Sequence, residues 1–455
     1  MIEPHSILSI VPDAHIHPDA RAARRITWDS RQTDPETAFV ALAGEKAHGN
    51  AYLEQALGRG APFVLSDQDT ERGLRVPDAR AALRAWARHT RDAYGGPVIG
   101  ITGSAGKTTA KEYAGAALGA RHTPGNLNTL DAIACFLLEA CSTEAAHRPP
   151  SAVRSSERAG VRGQTSDVRE DTAGASAGTQ PQSLVVEMGI DRIGEMAQLM
   201  ALVSPDYGVI TAIGEAHLEF FGSLETIARE KGGILAARRF ALVSARAGGR
   251  WYPGLPTYGL EHATYQPSAF SLQPSARMTY RGVEVQVPTS SAVVLEAAVL
   301  GMALAEELRV PLEAAAERTS RVEVPGGRWR VLEAGGVTLI DDSYNANPLS
   351  VRAALEGLRA LPGRKVAVLG DMLELGPEAG RLHREIGALA SDVAQKVYSV
   401  GEFRAALSAN PFEHGDDLAG VLLETLGPDD TVLFKASRGV RLEKVLERVL
   451  EGLRG

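Results

Sequence analysis

A glycine-rich segment, Gly100–Thr109, has the residue types that hold a phosphate group. An apolar run from Pro97 to Ile101 predicts a strand that leads into it, and the residues after Thr109 predict a helix. In such a unit, glycines let backbone N–H groups approach phosphate oxygens, and the helix N-terminus adds positive potential. Lys107 can then reach the outer phosphates, and the Thr108 hydroxyl can bind Mg²⁺. We therefore predict a nucleoside triphosphate site rather than an ordinary glycine-rich turn.

A second group of residues has the chemistry of a metal site. Glu187 ends an apolar strand pattern, His217 follows another, and Lys231 lies in a predicted helix further on. A carboxylate and an imidazole at strand ends suit a divalent cation. A protonated lysine binds no metal, but a lysine that has reacted with CO₂ carries an anionic carbamate, which does. Each residue alone is most simply a surface or core residue, so the prediction rests on the combination.

The third group is the polar segment Asp341–Pro348, directly after a predicted strand, Val337–Ile340. Acids, amides and a tyrosine follow one another there, and a proline closes the segment. An Asn-Pro pair favours a polar turn by itself. The density of polar side chains at a strand end favours a nucleotide or substrate contact instead.

The elements that must position these groups predict an α/β protein with several domains, because 455 residues are too many for one core. Residues 1–96 alternate short strands and helices and predict a small α/β domain. Residues 97–322 contain the phosphate loop and predict a central domain with a parallel sheet like that of phosphate-loop ATPases. Residues 323–455 alternate helices and strands and predict a Rossmann-like doubly wound sheet.

Residues 142–182 interrupt this pattern. They are rich in Ser, Ala, Arg, Gly, Thr and Pro and have almost no large apolar side chains. Such a segment cannot bury enough surface to offset the chain entropy of ordering it, so we predict a disordered insertion in the central domain.

Composition excludes several classes of function. The formal net charge is −8, which argues against a general nucleic-acid or membrane-surface binder. No uncharged apolar run could span a bilayer, and the N-terminus has no signal-peptide pattern. The two cysteines, Cys135 and Cys141, are most simply reduced core residues of a cytoplasmic protein.

Further motifs give the chain a specific resemblance. The loop form Gly-x-Thr-Gly-x-x-Gly-Lys-Thr resembles the ATP loop of the Mur ligases and folylpolyglutamate synthases. The segments that extend the likeness are Asp29–Arg31, Phe39–Gly44, Glu187–Gly189, His217–Ser223, Asp342–Pro348, Gly370–Gly376 and Lys435–Arg438. With them the chain resembles the Mur ligase family nearly end to end, apart from the insertion. The amino-acid-adding members generally have a histidine inside the Asn-Pro motif, where this chain has Ala346. At this position the chain therefore resembles the members that add D-alanyl-D-alanine.

The resemblance implies a function for each domain and for individual residues. The chain would bind UDP-N-acetylmuramoyl-tripeptide in residues 1–96 and ATP in the central domain. With the C-terminal domain it would join D-alanyl-D-alanine to the tripeptide through an acyl phosphate. We expect a monomer. The residues implied to hold ATP are Gly103, Ser104, Ala105, Gly106, Lys107, Thr108, Thr109, Arg328, Asp342 and Tyr344.

The resemblance also implies two Mg²⁺ ions, one on Thr108 and one on Glu187, His217 and carbamylated Lys231. Lys107, Lys231, His217 and Arg328 would be the catalytic residues, with Arg328 on the γ-phosphate. The residues implied to contact substrate are Ser30, Arg31, Asn126, Asn128, Asn345 and Asn347.

One departure from the family pattern concerns the nucleobase. Leu295 stands where relatives have an asparagine that contacts adenine, and Ser291 replaces a histidine. The way in which adenine is held is therefore open. The alternative functions are a ligase of the same fold that adds lysine or diaminopimelate, a folylpolyglutamate synthase, or a catalytically weakened nucleotide-binding partner.

Overall fold

The computed structural model describes residues 1–44, 47–125, 127–142, 182–273, 275–324 and 326–454. The predicted insertion falls almost entirely outside these ranges. The chain divides into two compact units, the first of residues 1–96 with 137–182 and the second of residues 97–136 with 183–455. The boundary predicted near residue 322, between a central and a C-terminal domain, lies inside the second unit and stays a prediction.

The first unit is built on a five-stranded sheet in the order β1-β5-β4-β3-β2, in which only β1 runs antiparallel. Asp78 accepts hydrogen bonds from the N–H groups of Arg80 and Ala81 and so starts the long helix of this unit. Its strands are β1 (His15–Ile16), β2 (Arg25–Thr27), β3 (Thr37–Val40), β4 (Val64–Ser66) and β5 (Gly73–Arg75), and its helices are α1 (Leu53–Gly58) and α2 (Ala79–Ala93).

The second unit begins with a six-stranded sheet in the order β11-β10-β9-β6-β8-β7, and every pair in it is parallel. Its strands are β6 (Val98–Thr102), β7 (Arg121–His122), β8 (Leu184–Glu187), β9 (Tyr207–Ile210), β10 (Phe240–Ser244) and β11 (Thr257–Tyr258). The helices between them are α3 (Lys107–Leu118), α4 (Leu130–Ser142), α5 (Glu195–Val203), α6 (Leu218–Phe221), α7 (Leu224–Gly232) and α8 (Ala245–Trp251). Helix α4 has residues in both units. The predicted parallel sheet is confirmed.

A smaller antiparallel sheet follows, with strands β12 (Ala269–Ser271), β13 (Ala276–Tyr280) and β14 (Val283–Val287). Two helices come next, α9 (Ala292–Glu307) and α10 (Leu312–Thr319). Four alanines and a glycine are among the eleven buried residues of α9, and a Cβ on Gly301 would lie 2.8 Å from the Tyr113 carbonyl oxygen of α3. Small residues therefore allow α9 to pack closely on the helix that follows the phosphate loop.

The C-terminal part of this unit is a six-stranded sheet in the order β15-β16-β20-β17-β18-β19, and only β15 is antiparallel. Its strands are β15 (Arg330–Ala334), β16 (Val337–Asp341), β17 (Arg364–Gly370), β18 (Lys396–Val400), β19 (Pro411–Phe412) and β20 (Asp430–Lys435). Its helices are α11 (Pro348–Arg359), α12 (Ala379–Val393), α13 (Arg404–Leu407), α14 (Gly415–Thr425) and α15 (Glu443–Arg454). The predicted doubly wound sheet is confirmed.

Two further predictions are tested by this fold. Cys135 and Cys141 are buried in α4 and form no disulfide within the described residues, which agrees with the predicted reduced core residues. Within the described ranges, no helix combines the length and the apolar character needed to cross a membrane.

Candidate active site

The phosphate loop joins β6 to α3 and is hydrogen-bonded to the segment that follows β9. Ser104 N–H donates to the Ala212 carbonyl at 2.8 Å, and Ser104 Oγ donates to the Gly214 carbonyl at 2.9 Å. Gly103 and Gly106 have positive φ angles of 151° and 78°, and a Cβ on Gly103 would overlap Thr211 Oγ1. Glycine is therefore required where the loop turns, and the first N–H groups of α3 face the space above it.

Three side chains meet beside the loop. Thr108 Oγ1 donates to Glu187 Oε2 at 2.9 Å and accepts from Arg328 Nη2 at 3.0 Å. Glu187 is the last residue of β8 and is 2% exposed, so the carboxylate lies at the carboxyl end of the parallel sheet. Arg328 comes from the segment before β15 and stacks its guanidinium 3.9 Å from the centre of the Tyr344 ring. The fold thus brings together residues that are far apart in sequence.

Two lysines of α3 lie near the same carboxylate. Lys107 Nζ donates to the Gly103 carbonyl at 2.8 Å. Burial lowers the pKa of Lys107, Glu187 opposes that shift and Arg328 adds to it. Lys111 Nζ is fully buried, lies 3.8 Å from Glu187 Oε2 and donates to the Gly125 carbonyl at 2.5 Å. Lys111 was not among the predicted site residues.

His217 contacts a residue from the C-terminal sheet. It has a positive φ angle of 57° and starts α6, and its Nδ1 lies 2.5 Å from Glu374 Oε2. The Glu219 N–H donates to the Glu374 carbonyl at 3.1 Å, so the two segments are also joined through their backbones. Burial lowers the pKa of His217, while the Glu374 carboxylate raises it. Because Nδ1 faces Glu374, Nε2 is the nitrogen left for a ligand.

Lys231 lies in the last turn of α7, is 1% exposed, and has Nζ 5.9 Å from the centre of the Phe221 ring. Burial lowers its pKa well below the ordinary value, and the charge of Lys107 adds to that shift. Within the described part of the chain, no group of three or more His, Cys, Asp and Glu residues could hold a metal ion. The predicted second metal site therefore depends on Lys231 supplying an oxygen.

The polar segment after β16 performs several structural tasks. Asp342 Oδ2 accepts a hydrogen bond from Lys435 Nζ at 2.6 Å, and burial raises the pKa of Asp342 while Lys435 opposes the shift. Asn347 caps α11 through the Ser350 N–H, and its Nδ2 donates to the Ser104 carbonyl at 2.9 Å. Asn345 is exposed, and its Oδ1 accepts from the Ala346 N–H. Asn347 thus ties the C-terminal sheet to the phosphate loop.

Most of these groups line one cavity of about 400 Å³, but Gly103, Lys111, Lys231 and Glu374 are not on its wall. The predicted residues on its wall are Ser104, Ala105, Gly106, Lys107, Thr108, Thr109, Asn128, Glu187, His217, Arg328, Asp342, Tyr344, Asn345 and Asn347. The wall also includes Arg246, Tyr258, Trp329 and residues of α9 and α11. The size and mixed lining are those of a small-molecule site.

Of four further predicted substrate-contact residues, Asn128 lies on the cavity wall, and the other three lie elsewhere or outside the described ranges. Asn128 Nδ2 lies 3.4 Å from Glu187 Oε1, while Asn126 is not among the described residues. Ser30 and Arg31 belong to the first unit, where Ser30 is buried and donates to Gln55 Oε1 at 2.5 Å. Arg31 is exposed and forms two 2.9 Å hydrogen bonds to Asp29, which lower the Asp29 pKa to about 2.

Sequence reasoning missed five residues in or beside this site: Glu374, Lys435, Arg246, Glu296 and Lys111. The first two stand in motifs that the sequence does single out, Gly370–Gly376 and Lys435–Arg438. In the first motif Asp371 is structural, since it accepts from the N–H groups of Glu402 and Phe403. Arg246 and Glu296 belong to no motif, and only the packing of α8 against α9 brings them together.

The fold and the site define a phosphate-loop class of ATP-dependent α/β ligase, in which the loop lies on a parallel sheet and a second sheet contributes to the same cavity. Residues 101–247 match the family described as "Mur ligase middle domain", and residues 327–438 match "Mur ligase, glutamate ligase domain". A relative in Treponema pallidum is 30% identical over 94% of this chain and 94% of its own length. The chain belongs to the Mur ligase family.

The similar proteins carry consistent names. The Treponema pallidum relative and one from Bacillus subtilis, 29% identical over 94% of this chain and 93% of its own length, are both called UDP-N-acetylmuramoyl-tripeptide--D-alanyl-D-alanine ligase. A crystal structure of MurF ligase from Thermotoga maritima with ADP aligns with a TM-score of 0.77 at 26% identity, over 95% of this chain and 98% of that one. A MurF structure from Acinetobacter baumannii gives 0.79 at 25% identity, with 99% and 98% covered.

Proposed function

We propose that this protein is the ATP-dependent ligase that joins D-alanyl-D-alanine to UDP-N-acetylmuramoyl-tripeptide in the cytoplasm, in the synthesis of the peptidoglycan precursor. The observation that carries the proposal is the meeting of Thr108, Glu187 and Arg328 in one cavity, beside a phosphate loop. The names of the relatives and the ADP in the Thermotoga maritima structure support the choice of substrates.

The chain's own residues suit phosphoryl transfer to a carboxylate. The N–H groups of the loop and Lys107 hold the β- and γ-phosphates, and Arg328 approaches from the opposite wall to neutralise charge on the γ-phosphate. The terminal carboxylate of the tripeptide attacks the γ-phosphorus, which gives an acyl phosphate and ADP. The amine of D-alanyl-D-alanine then attacks the acyl carbon, and phosphate leaves as the amide forms.

Two features of the cavity favour this order of events. Arg328, Asp342 and Lys435 come from the C-terminal sheet, whereas the phosphate loop comes from the central one. The acyl phosphate therefore forms between elements that can enclose it and keep water away. Ala346 lies on the cavity wall in the Asn-Pro segment, so this chain presents a methyl group where amino-acid-adding members generally have a histidine.

The donor set fits magnesium. Thr108 and Glu187 present oxygens 2.9 Å apart on the cavity wall, and Mg²⁺ prefers oxygen ligands. Thr108 would hold one ion, and Glu187, His217 and a carbamate on Lys231 would hold the second. Bound Mg²⁺ supplies charge neutralisation for the transferred phosphoryl group. The burial of Lys231 and its lowered pKa favour the neutral amine that reacts with CO₂.

A product assay tests the proposal. Purified protein is incubated with UDP-N-acetylmuramoyl-tripeptide, ATP and one amine at a time from a panel of D-alanyl-D-alanine, L-lysine and meso-diaminopimelate. We expect phosphate release and a new amide product only with D-alanyl-D-alanine. Equal release with a free amino acid would contradict the assigned acceptor, and ATP turnover without either substrate would contradict a ligase.

A further inference from the structure

The part of the cavity wall to which α9 contributes has a distinct composition. Val293, Val294 and Ala297 of α9 line it together with Tyr258 and Trp329. This lining is apolar and aromatic, and it adjoins one ion pair, between Arg246 and Glu296. An apolar slot with polar groups at one edge suits a flat heterocycle with polar atoms on its rim.

The residue at the position where relatives have an adenine-contacting asparagine, Leu295, cannot contact a base in this chain. Leu295 is fully buried in the core between α3 and α9 and is not on the cavity wall. The next residue, Glu296, points the other way and lines the cavity. Of these two consecutive residues of α9, Leu295 packs in the core and Glu296 is the one that a ligand can reach.

The ion pair has a defined geometry. Arg246 Nε donates to Glu296 Oε1 at 3.0 Å, and Arg246 Nη2 lies 2.9 Å from the same oxygen. Within the described residues, no hydrogen bond reaches Glu296 Oε2. The Glu296 side chain is 17% exposed and lies on the cavity wall, so Oε2 is an acceptor that a ligand can reach, next to a guanidinium that has further N–H groups.

We propose that Glu296 and Arg246 read the nucleobase, with Glu296 accepting from the 6-amino group of adenine and Arg246 donating to N7. This inference rests on the proposed function and assigns the base end of its nucleotide site. A carboxylate beside a guanidinium offers an acceptor beside a donor, as one amide side chain does. Adenine presents the complementary pair, N6–H₂ beside N7.

The same geometry selects against guanine. Guanine presents O6 and N7 on this edge, and both are acceptors. Its O6 would face Glu296 Oε2, so two acceptors would meet without a proton between them. The pair thus predicts a preference for adenine nucleotides, unless guanine turns its N1–H and N2–H₂ edge to the carboxylate. That second arrangement makes GDP bind tighter than ADP and is an outcome of the test below.

Calorimetric titration of the wild-type chain with a nucleotide series tests the proposal without any substitution. The series is ADP, purine riboside diphosphate (without the 6-amino group), 7-deaza-ADP (without N7) and GDP. We expect ADP to bind about 10- to 100-fold more tightly than each of the others, which is the effect of losing one hydrogen bond to a charged group. Equal affinity for ADP and purine riboside diphosphate, or tighter binding of GDP, would overturn it.

Substitutions then locate the effect. In Glu296→Ala we expect the preference for ADP over purine riboside diphosphate to fall to less than about threefold. Glu306→Ala is the matched control, since Glu306 lies on the same helix, pairs with Arg281 at 3.1 Å and is not on the cavity wall. It should keep the wild-type preference. Full preference in Glu296→Ala would refute the assignment.

The titration also separates this inference from the proposed function. If ADP binds tightly and the series shows no discrimination, only the base assignment fails. If none of the nucleotides binds to the folded protein, both proposals fail.

Discussion

The two ends that we propose for a nucleotide in this cavity would bind it by different means. The proposed phosphate end is a continuous stretch of chain, Gly103–Thr109, in which backbone N–H groups and Lys107 would make most of the contacts with the phosphates. The base end is assembled from separate elements, with Arg246 on α8, Tyr258 on β11 and Glu296 on α9. A phosphate is recognised by charge and backbone geometry, so local sequence can specify it. A base is recognised by its edge, and the groups that face that edge come from any element that packs nearby.

This comparison predicts that changes at the phosphate end affect all nucleotides alike, whereas changes at the base end affect the preference among them. Four predictions test or sharpen it, from the largest expected effect to the smallest.

Lys107→Ala should give the largest loss, a decrease in kcat/KM of about 10²- to 10³-fold, because a positive charge aimed at the transferred phosphoryl group is removed. The loss should be the same with ATP and with 7-deaza-ATP. Steady-state phosphate release with both nucleotides measures it. Lys444→Ala, at the start of α15 and off the cavity wall, is the control. A loss confined to one nucleotide would break the division between the two ends.

Lys231→Ala should lower kcat by about 10²-fold with little change in the affinity for ADP, because the residue would serve the metal and not the base. Added acetate or formate should restore part of the turnover by replacing the carbamate. Protein equilibrated with ¹³C-bicarbonate should give a carbamate carbon signal that Lys231→Ala lacks. Arg229→Ala, on the same helix turn but exposed, should behave as wild type. Wild-type turnover in Lys231→Ala would rule out the carbamate.

Glu374→Gln should lower kcat by about tenfold, because the carboxylate that orients His217 is lost. The pH profile gives the more specific readout. Burial lowers the pKa of His217 below 6.5 and Glu374 raises it, so wild-type activity should fall as the pH drops through a value below 6.5. Without the carboxylate the pKa falls further, and the acid limb should move to lower pH. An unmoved acid limb would show that Glu374 acts only as a packing residue.

Arg31→Ala should have the smallest effect, an increase of about three- to tenfold in KM for the UDP substrate at unchanged affinity for ADP. Arg31 and Asp29 form an exposed pair in the first unit, where a diphosphate could take the place of the carboxylate. Arg24→Ala removes a similar exposed pair, with Glu36, and should leave KM unchanged. A change in ADP affinity in Arg31→Ala would contradict a role limited to the UDP substrate.

The sequence by itself determined the local parts of this protein. Glycines at positions 103 and 106, followed by Lys107 and Thr108, specify a phosphate loop because the required φ angles and the helix start are short-range properties. The apolar runs that become β6, β8 and β9 are recognisable because strands buried on both faces are continuously apolar. The pattern near Asp341–Pro348 correctly indicates a polar loop at a strand end.

Tertiary structure alone decided which distant side chains meet. The contact of Arg328 with Thr108, that of Glu374 with His217 and that of Asn347 with the Ser104 carbonyl join the C-terminal sheet to the central one. The pairing of Arg246 with Glu296 was also decided by tertiary structure. The orientation of α9 places the side chain of Leu295 in the core and that of the next residue, Glu296, on the cavity wall. Such pairings depend on how helices pack, and packing is a property of the whole fold that no local spacing specifies.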